Sequence, residues 1–573
     1  MTIYYENISD IPILFSIARR LKIDQIFDNH IPSHGNLQGL SYGLTAIGWL
    51  IFILSSANHR KSHVQSWALE TKKTLSILFG KDIDPNSFND DRLARMLRFL
   101  NDDEIWHSIE NDLWRAKMNV FELPVTGIRL DGTNTFGFHG VKEDGLMQYG
   151  FSKDGRSDLP ILKLMVAAEG NTGEVIAVDV VEGNQNDDPL YLPLIKRVRS
   201  ILGEKTGLLY CGDCKMSSFS VRGNLDAFSD YYLAPLQKNN PKISQEIDKW
   251  IHNGISCCDD TPAMSTLVWR KNQIIGGGYE IKRFQRSFLE SGKSHSWNER
   301  VLIFRSLNLS KVQNDGLEKR LRKAELNLEK LKEKSFKTPQ ELSDKISCIT
   351  ERYKVSTLLD CEQIETKTSK NTYQRSEIRN GKKRNGTYTV CKSKYVLLQV
   401  KRHLAEIEEV KRTNGWRIYA TNIPETLMSL EQLICYYREE WVIEKQFHIL
   451  KDKPIGIRPL FVKTDIQISG MARFLTVALR LWSYITLTVH NYLVKQPEIQ
   501  GLYKGQPKKK TKRPSAKMIM ESFSKICLFY NEENIPRWRL TPIDGLAGLF
   551  LKALELPLET YELIEMALEA CES

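Results

Sequence analysis

Apolar residues recur at helical spacing through the first 122 positions: over Ile11 to Ile26, in the run Leu44 to Leu54, and from Arg92 to Leu100 behind the capping candidates Asn89 and Asp90. This pattern predicts a helical head over 1–122. Plain helical packing is the simpler reading of it, and a DNA-binding or dimerising role the sharper one. At Thr126 the period changes. GIRLDGTNTFGF, ILKLMVAAEG and EVIAVDVVEG are β-rich runs closed by glycine and polar turns. A helix is expected from Pro189 to about Ile201, capped by Asp187 or Asp188. A strand over Gly207 to Cys211, a helix near Ser217 to Phe228 and a strand over Tyr231 to Leu236 follow. Three strands, helix, strand, helix, strand predict an α/β sheet that begins as a meander.

Residues 240 to about 425 interrupt that regularity with mixed β segments such as QIIGGGYEIKRF, a helical stretch and a basic run. Leu317, Leu321, Ala324, Leu328 and Leu331 are spaced 4, 3, 4 and 3, which is the seam of a short helical hairpin and too little for a long coiled coil. Regular structure resumes with the strand WRIYATN, one amphipathic helix from about Leu427 to Lys451, and another from Ser469 to about Leu493. A basic, partly loose stretch then leads into final helices.

Composition changes this picture little, and charge changes it more. The 573 residues are 41% hydrophobic and 26% charged, which excludes disorder, collagen and a coiled-coil rod. The net charge is +11, but it is concentrated. From Lys367 to Arg402 there are eleven Lys or Arg against one acid, Glu377, so +10 falls in 36 residues. Lys508, Lys509, Lys510, Lys512, Arg513 and Lys517 form a second one-sided cluster. Such runs suit a polyanion, most economically nucleic acid, with solvated basic loops as the plainer alternative. Ten scattered cysteines and a start, MTIYYENISDIP, without a basic or cleavable apolar stretch suggest a reducing, cytoplasmic setting. The apolar run Leu44 to Leu54 is about half of the ~20 residues that span a bilayer, so no membrane association is expected.

Three carboxylates stand out. Asp131 lies inside the apolar strand segment IRLDGTN, where a charge is costly unless paired or bound to a cation. Asp213 ends the strand LLYCGD, and ligands gather at the carboxyl ends of strands in open α/β sheets. Glu444 sits within YYREEWVIEKQFHILK beside Trp441, Ile443 and Phe447. An oxygen-only set of this kind holds Mg²⁺ or Mn²⁺ in preference to zinc. A pair of such ions can activate a water and stabilise a leaving oxygen in phosphodiester displacement. Zinc is the weaker reading of Cys211 and Cys214, with His252, Cys257 and Cys258 downstream. Adjacent cysteines rarely serve one tetrahedral ion, and Cys211 falls on the predicted strand. His448, four residues after Glu444, reads as a packing or hydrogen-bonding residue before a ligand.

At these residues the chain resembles insertion-sequence transposases of the DDE type, in the branch with a long insertion before the catalytic glutamate. The resemblance is carried by LDGTNTFGF around Asp131, YGFSKDGRSDLPILKLMVA from Tyr149, VVEGNQNDDPL from Val180, LLYCGDCKMSS around Asp213 and YYREEWVIEKQFHILK around Glu444. It implies an α/β fold with a ribonuclease-H-like core in two parts, 123–239 and 426–493. A helical N-terminal domain precedes it, a mixed insertion spans 240–425, and a basic linker with helices fills 494–573. It implies Asp131, Asp213 and Glu444 as catalytic metal ligands for Mg²⁺ or Mn²⁺. The branch signature Y-x2-R-x3-E-x6-K falls on Tyr437, Glu444 and Lys451, with Glu440 where arginine is expected and Arg438 two residues earlier, about 200° away on a helix. Lys153 and Arg156, in the matched SKDGRSDLPILK stretch, read as backbone-phosphate contacts or equally as turn-stabilising residues, and Lys382, Lys383 and Arg384 of the basic run are expected along the DNA path. Trp269, Trp297 and Trp416 are candidates for stacking on an extruded base. The resemblance further implies double-stranded element ends and target DNA as partners and a homodimer in a synaptic complex. A DNA-binding protein that has lost cleavage is the alternative.

Overall fold

The computed structural model describes residues 4–33, 39–121, 124–237, 241–259, 266–379, 381–531, 537–543 and 545–572. They form two compact units. Unit 1 comprises Met1–Ala234, Arg286–Trp297 and Tyr436–Ser573, and unit 2 comprises Pro235–Gln285 and Asn298–Cys435. Among the described residues no helix is long and apolar enough to cross a membrane.

Unit 1 begins with strand β1 (Tyr4–Asn7) and seven helices: α1 (Ile11–Arg20), α2 (Ile23–His30), α3 (Tyr42–Ser56), α4 (Val64–Glu70), α5 (Lys72–Phe79), α6 (Asp90–Asn101) and α7 (Asp103–Phe121). The Leu44 run is buried on nearly every side within α3, as its continuous apolar sequence demands. The core strands follow: β2 (Gly127–Phe136), β3 (Ile161–Glu169), β4 (Val175–Glu182), then α8 (Tyr191–Ile201), β5 (Leu209–Gly212), α9 (Phe219–Ala227) and β6 (Tyr231–Pro235). Their spatial order is β4-β3-β2-β5-β6. β2, β3 and β4 are antiparallel neighbours, whereas β5 pairs parallel with β2 and with β6. An antiparallel meander extended by two parallel strands, each reached through a helix, is the ribonuclease-H-like topology the resemblance implies.

Unit 2 holds α10 (Pro241–Asp259), strand β7 (Thr266–Arg270), most of β8 (Gln273–Phe288) and of β9 (Ser294–Ser306), helices α11 (Leu307–Lys332) and α12 (Pro339–Arg352), the long strands β10 (Leu359–Arg379) and β11 (Lys382–Arg402), α13 (Leu404–Thr413), β12 (Trp416–Thr421) and most of α14 (Leu430–Tyr437). The heptad leucines and Ala324 are all buried, packed with Leu342 and Ile346 of α12. The basic run is an antiparallel ribbon. β10 and β11 pair from Leu359↔Arg402 to Arg379↔Lys382, with irregularities at Glu362/Gln363 and Lys367/Ser369. Arg402 anchors its base through Glu325 (2.6 Å) and Glu318 (2.9 Å) on α11.

Unit 1 is completed by α15 (Trp441–Lys451), α16 (Asp465–Val494), α17 (Ala516–Glu521), β13 (Cys527–Asn531), β14 (Arg537–Leu540), α18 (Gly545–Ala553) and α19 (Glu559–Glu572). Two expectations need correcting. The helix expected over Leu427 to Lys451 is two helices, α14 and α15. Between them the amides of Glu439, Glu440, Val442 and Ile443 bond to carbonyls three residues back, so the α-ladder gives way to tighter 3₁₀-type turns. The two ends of unit 1 are also not purely helical, because β1 pairs with β13, and β13 with β14. The helices before the sheet, the sheet and the helices after it share one core, in which Trp49, Phe474 and Phe550 are all buried. α6 and α16 approach so closely that a Cβ on Gly470 would stand 2.1 Å from the Leu97 carbonyl oxygen.

Candidate active site

Sheet register brings the first two carboxylates together. Leu130 of β2 is opposite Gly212 of β5, so Asp131 and Asp213, each one residue further on, are neighbours on parallel strands. Both strands carry glycine where space is short. A Cβ at Gly132 would meet Met165 Sδ at 2.9 Å, and one at Gly212 would meet Met216 Sδ at 2.8 Å. The Gly132 amide donates to Asp131 Oδ1 (2.7 Å). Asp213 Oδ1 accepts from the Tyr191 hydroxyl (2.6 Å) and from the Lys215 amide (2.8 Å), capping the 3₁₀ turn that follows β5.

The electrostatics of the pair are unbalanced. Burial pushes the Asp131 carboxyl up to about 6; the Lys153 ammonium, 3.4 Å from Oδ1, opposes this and the Asp213 charge adds to it. Burial and the Asp213 carboxylate hold the Tyr191 phenol well above its ordinary value, so it stays a neutral donor. Alongside lies a cleft of about 220 Å³ lined by Asn134, Lys153, Lys163, Asp187 and Lys215 among others. Lys163 pairs with Asp187 (2.6 Å) and Lys215 with Asp188 (3.5 Å). Asp187 precedes the turn Asp188–Leu190 but makes no side-chain cap there, so Lys163 holds the carboxylate expected to cap that turn.

Glu444 is exposed on α15, together with Trp441 and His448, while Val442, Ile443, Gln446, Phe447 and Leu450 face inward. Two contacts fix this helix, and one fixes the end of α14 ahead of it. Ser483 donates to Gln446 Oε1 (2.8 Å), and buried Arg129 of β2 donates to the carbonyl of Tyr436 (2.8 Å). Gly173, at φ +77°, lets the β3–β4 turn press on the helix, where a Cβ would meet the Val442 carbonyl at 2.8 Å. Among the described residues no three His, Cys, Asp or Glu side chains stand close enough to hold one ion. The structure brings Asp131 and Asp213 together and leaves Glu444 outside such a group.

The segment SKDG links the two halves of the site. The Lys153 ammonium reaches Asp131 and the Gly132 carbonyl, while Asp154 Oδ1 accepts from Lys451 (2.9 Å) and Arg458 (2.6 Å). Lys451 is thus held by a carboxylate that is itself only 9% exposed, and burial lowers its pKa against the pull of Asp154. Sequence reasoning missed Tyr191 and Arg458. A hydroxyl two residues after Pro189 gives a weak signal, and Arg458 lies outside any periodic segment.

The other expected residues are dispersed. Tyr437 is buried, and Arg438 and Glu440 lie in the turn between α14 and α15. Arg156 is engaged bidentately by Asp158 (2.8 Å). Lys382 is exposed at the ribbon end, while the side chains of Lys383 and Arg384 lie outside the described residues. Cys211 is buried, its thiol pushed up to about 12 by burial, and the side chains of Cys257 and Cys258 are outside the described set. Trp297 is buried and donates to Tyr232 Oη (2.8 Å), Trp416 donates to the Arg412 carbonyl (3.1 Å), and Trp269 is half exposed.

A stability test follows from the pair. In the metal-free protein Asp131→Asn should raise the melting temperature at pH 7.5, because it removes a buried charge beside Asp213 while keeping the oxygen that Gly132 bonds. The folded carboxyl binds its proton more tightly than the unfolded one. It therefore penalises stability above about pH 6, and the penalty fades as pH falls towards 4. The gain in melting temperature should accordingly shrink by pH 5; an equal gain at both pH values would refute the assignment of strain to this carboxylate.

A family profile described as the transposase DDE domain matches residues 125–481, and one described as a domain of unknown function, DUF4277, matches residues 3–110. No curated protein matches the chain. Among solved structures, a cryo-EM synaptic complex of piggyBac transposase with hairpin DNA is similar at 10% identity and a TM-score of 0.35, covering 99% of this chain and 87% of that one.

Proposed function

Because the chain belongs to the DDE transposase family, we propose that it is the transposase of an insertion sequence: it binds terminal inverted repeats, cuts at the element ends and joins the freed 3′-hydroxyl to target DNA. The observation that carries this reading is the Asp131–Asp213 pair, one carboxylate on β2 and the other just past the end of the parallel neighbour β5, with Lys153 paired to Asp131 alone and the loss of charge on Asp131 favoured by burial. Such a pair is relieved by a divalent cation, and oxygen donors suit Mg²⁺ or Mn²⁺. When bound, the ion supplies activation of the attacking oxygen and stabilisation of the leaving one.

Each residue then has a defined task. Asp131 and Asp213 hold the cation, and Tyr191 orients Asp213 by its hydrogen bond. Glu444, exposed on α15, would be the third ligand. Lys153, which pairs with Asp131, would be available to a DNA phosphate if Asp131 held a cation. Lys451 and Arg458, both on Asp154, present positive charge to the strand end. Two ends must be joined in one reaction, so the working form is a homodimer or larger.

The test is a nicking assay on a duplex carrying the inverted repeat that flanks the reading frame. Wild type should release a 3′-hydroxyl at the repeat boundary with Mg²⁺ or Mn²⁺ and yield strand-transfer product with target plasmid. The cleavage-deficient alternative draws on Glu440, where the signature has arginine. If wild type binds the repeat and does not cut while Glu440→Arg does, the chain is a decayed transposase. If neither cuts and both bind, it is a DNA-binding protein on a transposase scaffold.

A further inference from the structure

The second basic cluster has no part in the site described above, yet the structure gives it a fixed place. A cleft of about 380 Å³ lies between α15 and α16. Its lining includes Lys445, one residue after Glu444, and Lys512 and Arg513 from the segment between α16 and α17. That segment is pinned to its surroundings. Ile499 and Thr511 exchange both backbone hydrogen bonds (2.9 Å each), and His490 Nε2 of α16 lies 2.8 Å from the Pro514 carbonyl, so Nε2 carries its proton. Ser515 then caps α17. Within the stretch expected to be basic and partly loose, Lys512 and Arg513 have their backbone tied on both sides.

The charge in this cleft is unbalanced. Among the described residues Lys445, Lys512 and Arg513 have no carboxylate within 4 Å, and the one acid lining the cleft, Glu174, is taken by buried Lys117. Asn171, Gln446 and Asn491 add neutral donors to the same walls. Lys508, Lys509 and Lys510, a few residues earlier in the same segment, are exposed, so the basic character extends along the chain beyond the cleft, as suits a chain of phosphates better than a single small anion.

We infer that the α15–α16 cleft is a second phosphate site, distinct from the carboxylate pair, that takes a backbone phosphodiester of DNA and so guides the strand along the helix bearing Glu444. The inference rests on the reading that the chain handles DNA.

The experiment measures the salt dependence of binding by the full chain to a fluorescein-labelled 30-base-pair duplex of arbitrary sequence. The triple variant Lys445→Gln, Lys512→Gln, Arg513→Gln should flatten the slope of log K against log salt by roughly 2.7, at about 0.9 per lost contact, and weaken binding about a hundredfold near physiological salt. Restoring charge with Arg513→Lys in place of Arg513→Gln should recover about one contact, and Lys311→Gln, at an exposed position of α11, should change nothing. Melting temperatures within a few degrees of wild type establish that the variants fold. Calorimetric titration with inorganic phosphate tests the other source. If phosphate binds wild type and not the triple variant while the DNA slope is unchanged, the cleft is a free-anion site and the inference falls. An unchanged slope without phosphate binding also overturns it. Failure of wild type to bind any duplex would instead remove the DNA reading on which it rests.

Discussion

Asp213→Asn is expected to lower metal-dependent strand cleavage by roughly a thousandfold or more, the rate equivalent of several kcal/mol of charge stabilisation at a metal, while duplex affinity stays within about twofold. The substitution keeps the size of the side chain and the oxygen that accepts from Tyr191 and Lys215. It removes only the charge that opposes a cation beside Asp131. Run in parallel, Glu444→Gln reports on the third ligand. An equal loss, with a higher Mg²⁺ concentration needed for half-activity, means that Glu444 reaches the pair when DNA and ion are present. A loss below about tenfold would leave the two aspartates as the main ligands. Full activity of Asp213→Asn would remove this site from the chemistry altogether.

The second large effect is on stability. Glu110 of α7 is completely buried and accepts from Arg480 of α16 (Oε1), Arg197 of α8 (Oε2) and the Val178 amide of β4 (3.1 Å). It therefore joins helix, sheet and helix through one carboxylate. Glu110→Ala leaves two guanidinium groups in the interior without that partner, which should destabilise unit 1 by about 3–5 kcal/mol and lower the melting temperature by about 10 °C. Glu110→Gln retains hydrogen-bonding oxygen without charge and should lie between the two. If Glu110→Ala melts within about 2 °C of wild type, the network is not what ties α7 to the sheet.

Much of this was written in the sequence, for identifiable reasons. The core strands announced themselves because each is an apolar run closed by glycine or polar residues. Asp131 and Asp213 stood out because a carboxylate in such a run needs an explanation. The break between α14 and α15 was hidden, since Arg438, Glu439 and Glu440 are good helix formers and the apolar spacing runs on across them. In the sequence the ribbon of β10 and β11 shows chiefly as charge, although Asn380-Gly381 between two Thr- and Tyr-containing runs is a hairpin composition and Gly381 sits at φ +73°. The sheet of β1, β13 and β14 could not be read at all. Four or five residues give too short a pattern, and the partner of β1 lies at the other end of the chain.

That last pairing has a consequence in time. Asn7 is paired with Cys527, 520 residues later (527 minus 7). At ~5–20 residues per second a ribosome needs roughly 25–100 s to travel between them. Throughout that interval β1 is an unmatched edge, and until α16 has been made the helices that follow β1 lack the element against which they bury their apolar faces. β1 is therefore among the last strands to be paired, and a chain released before residue 527 leaves β1 without a partner.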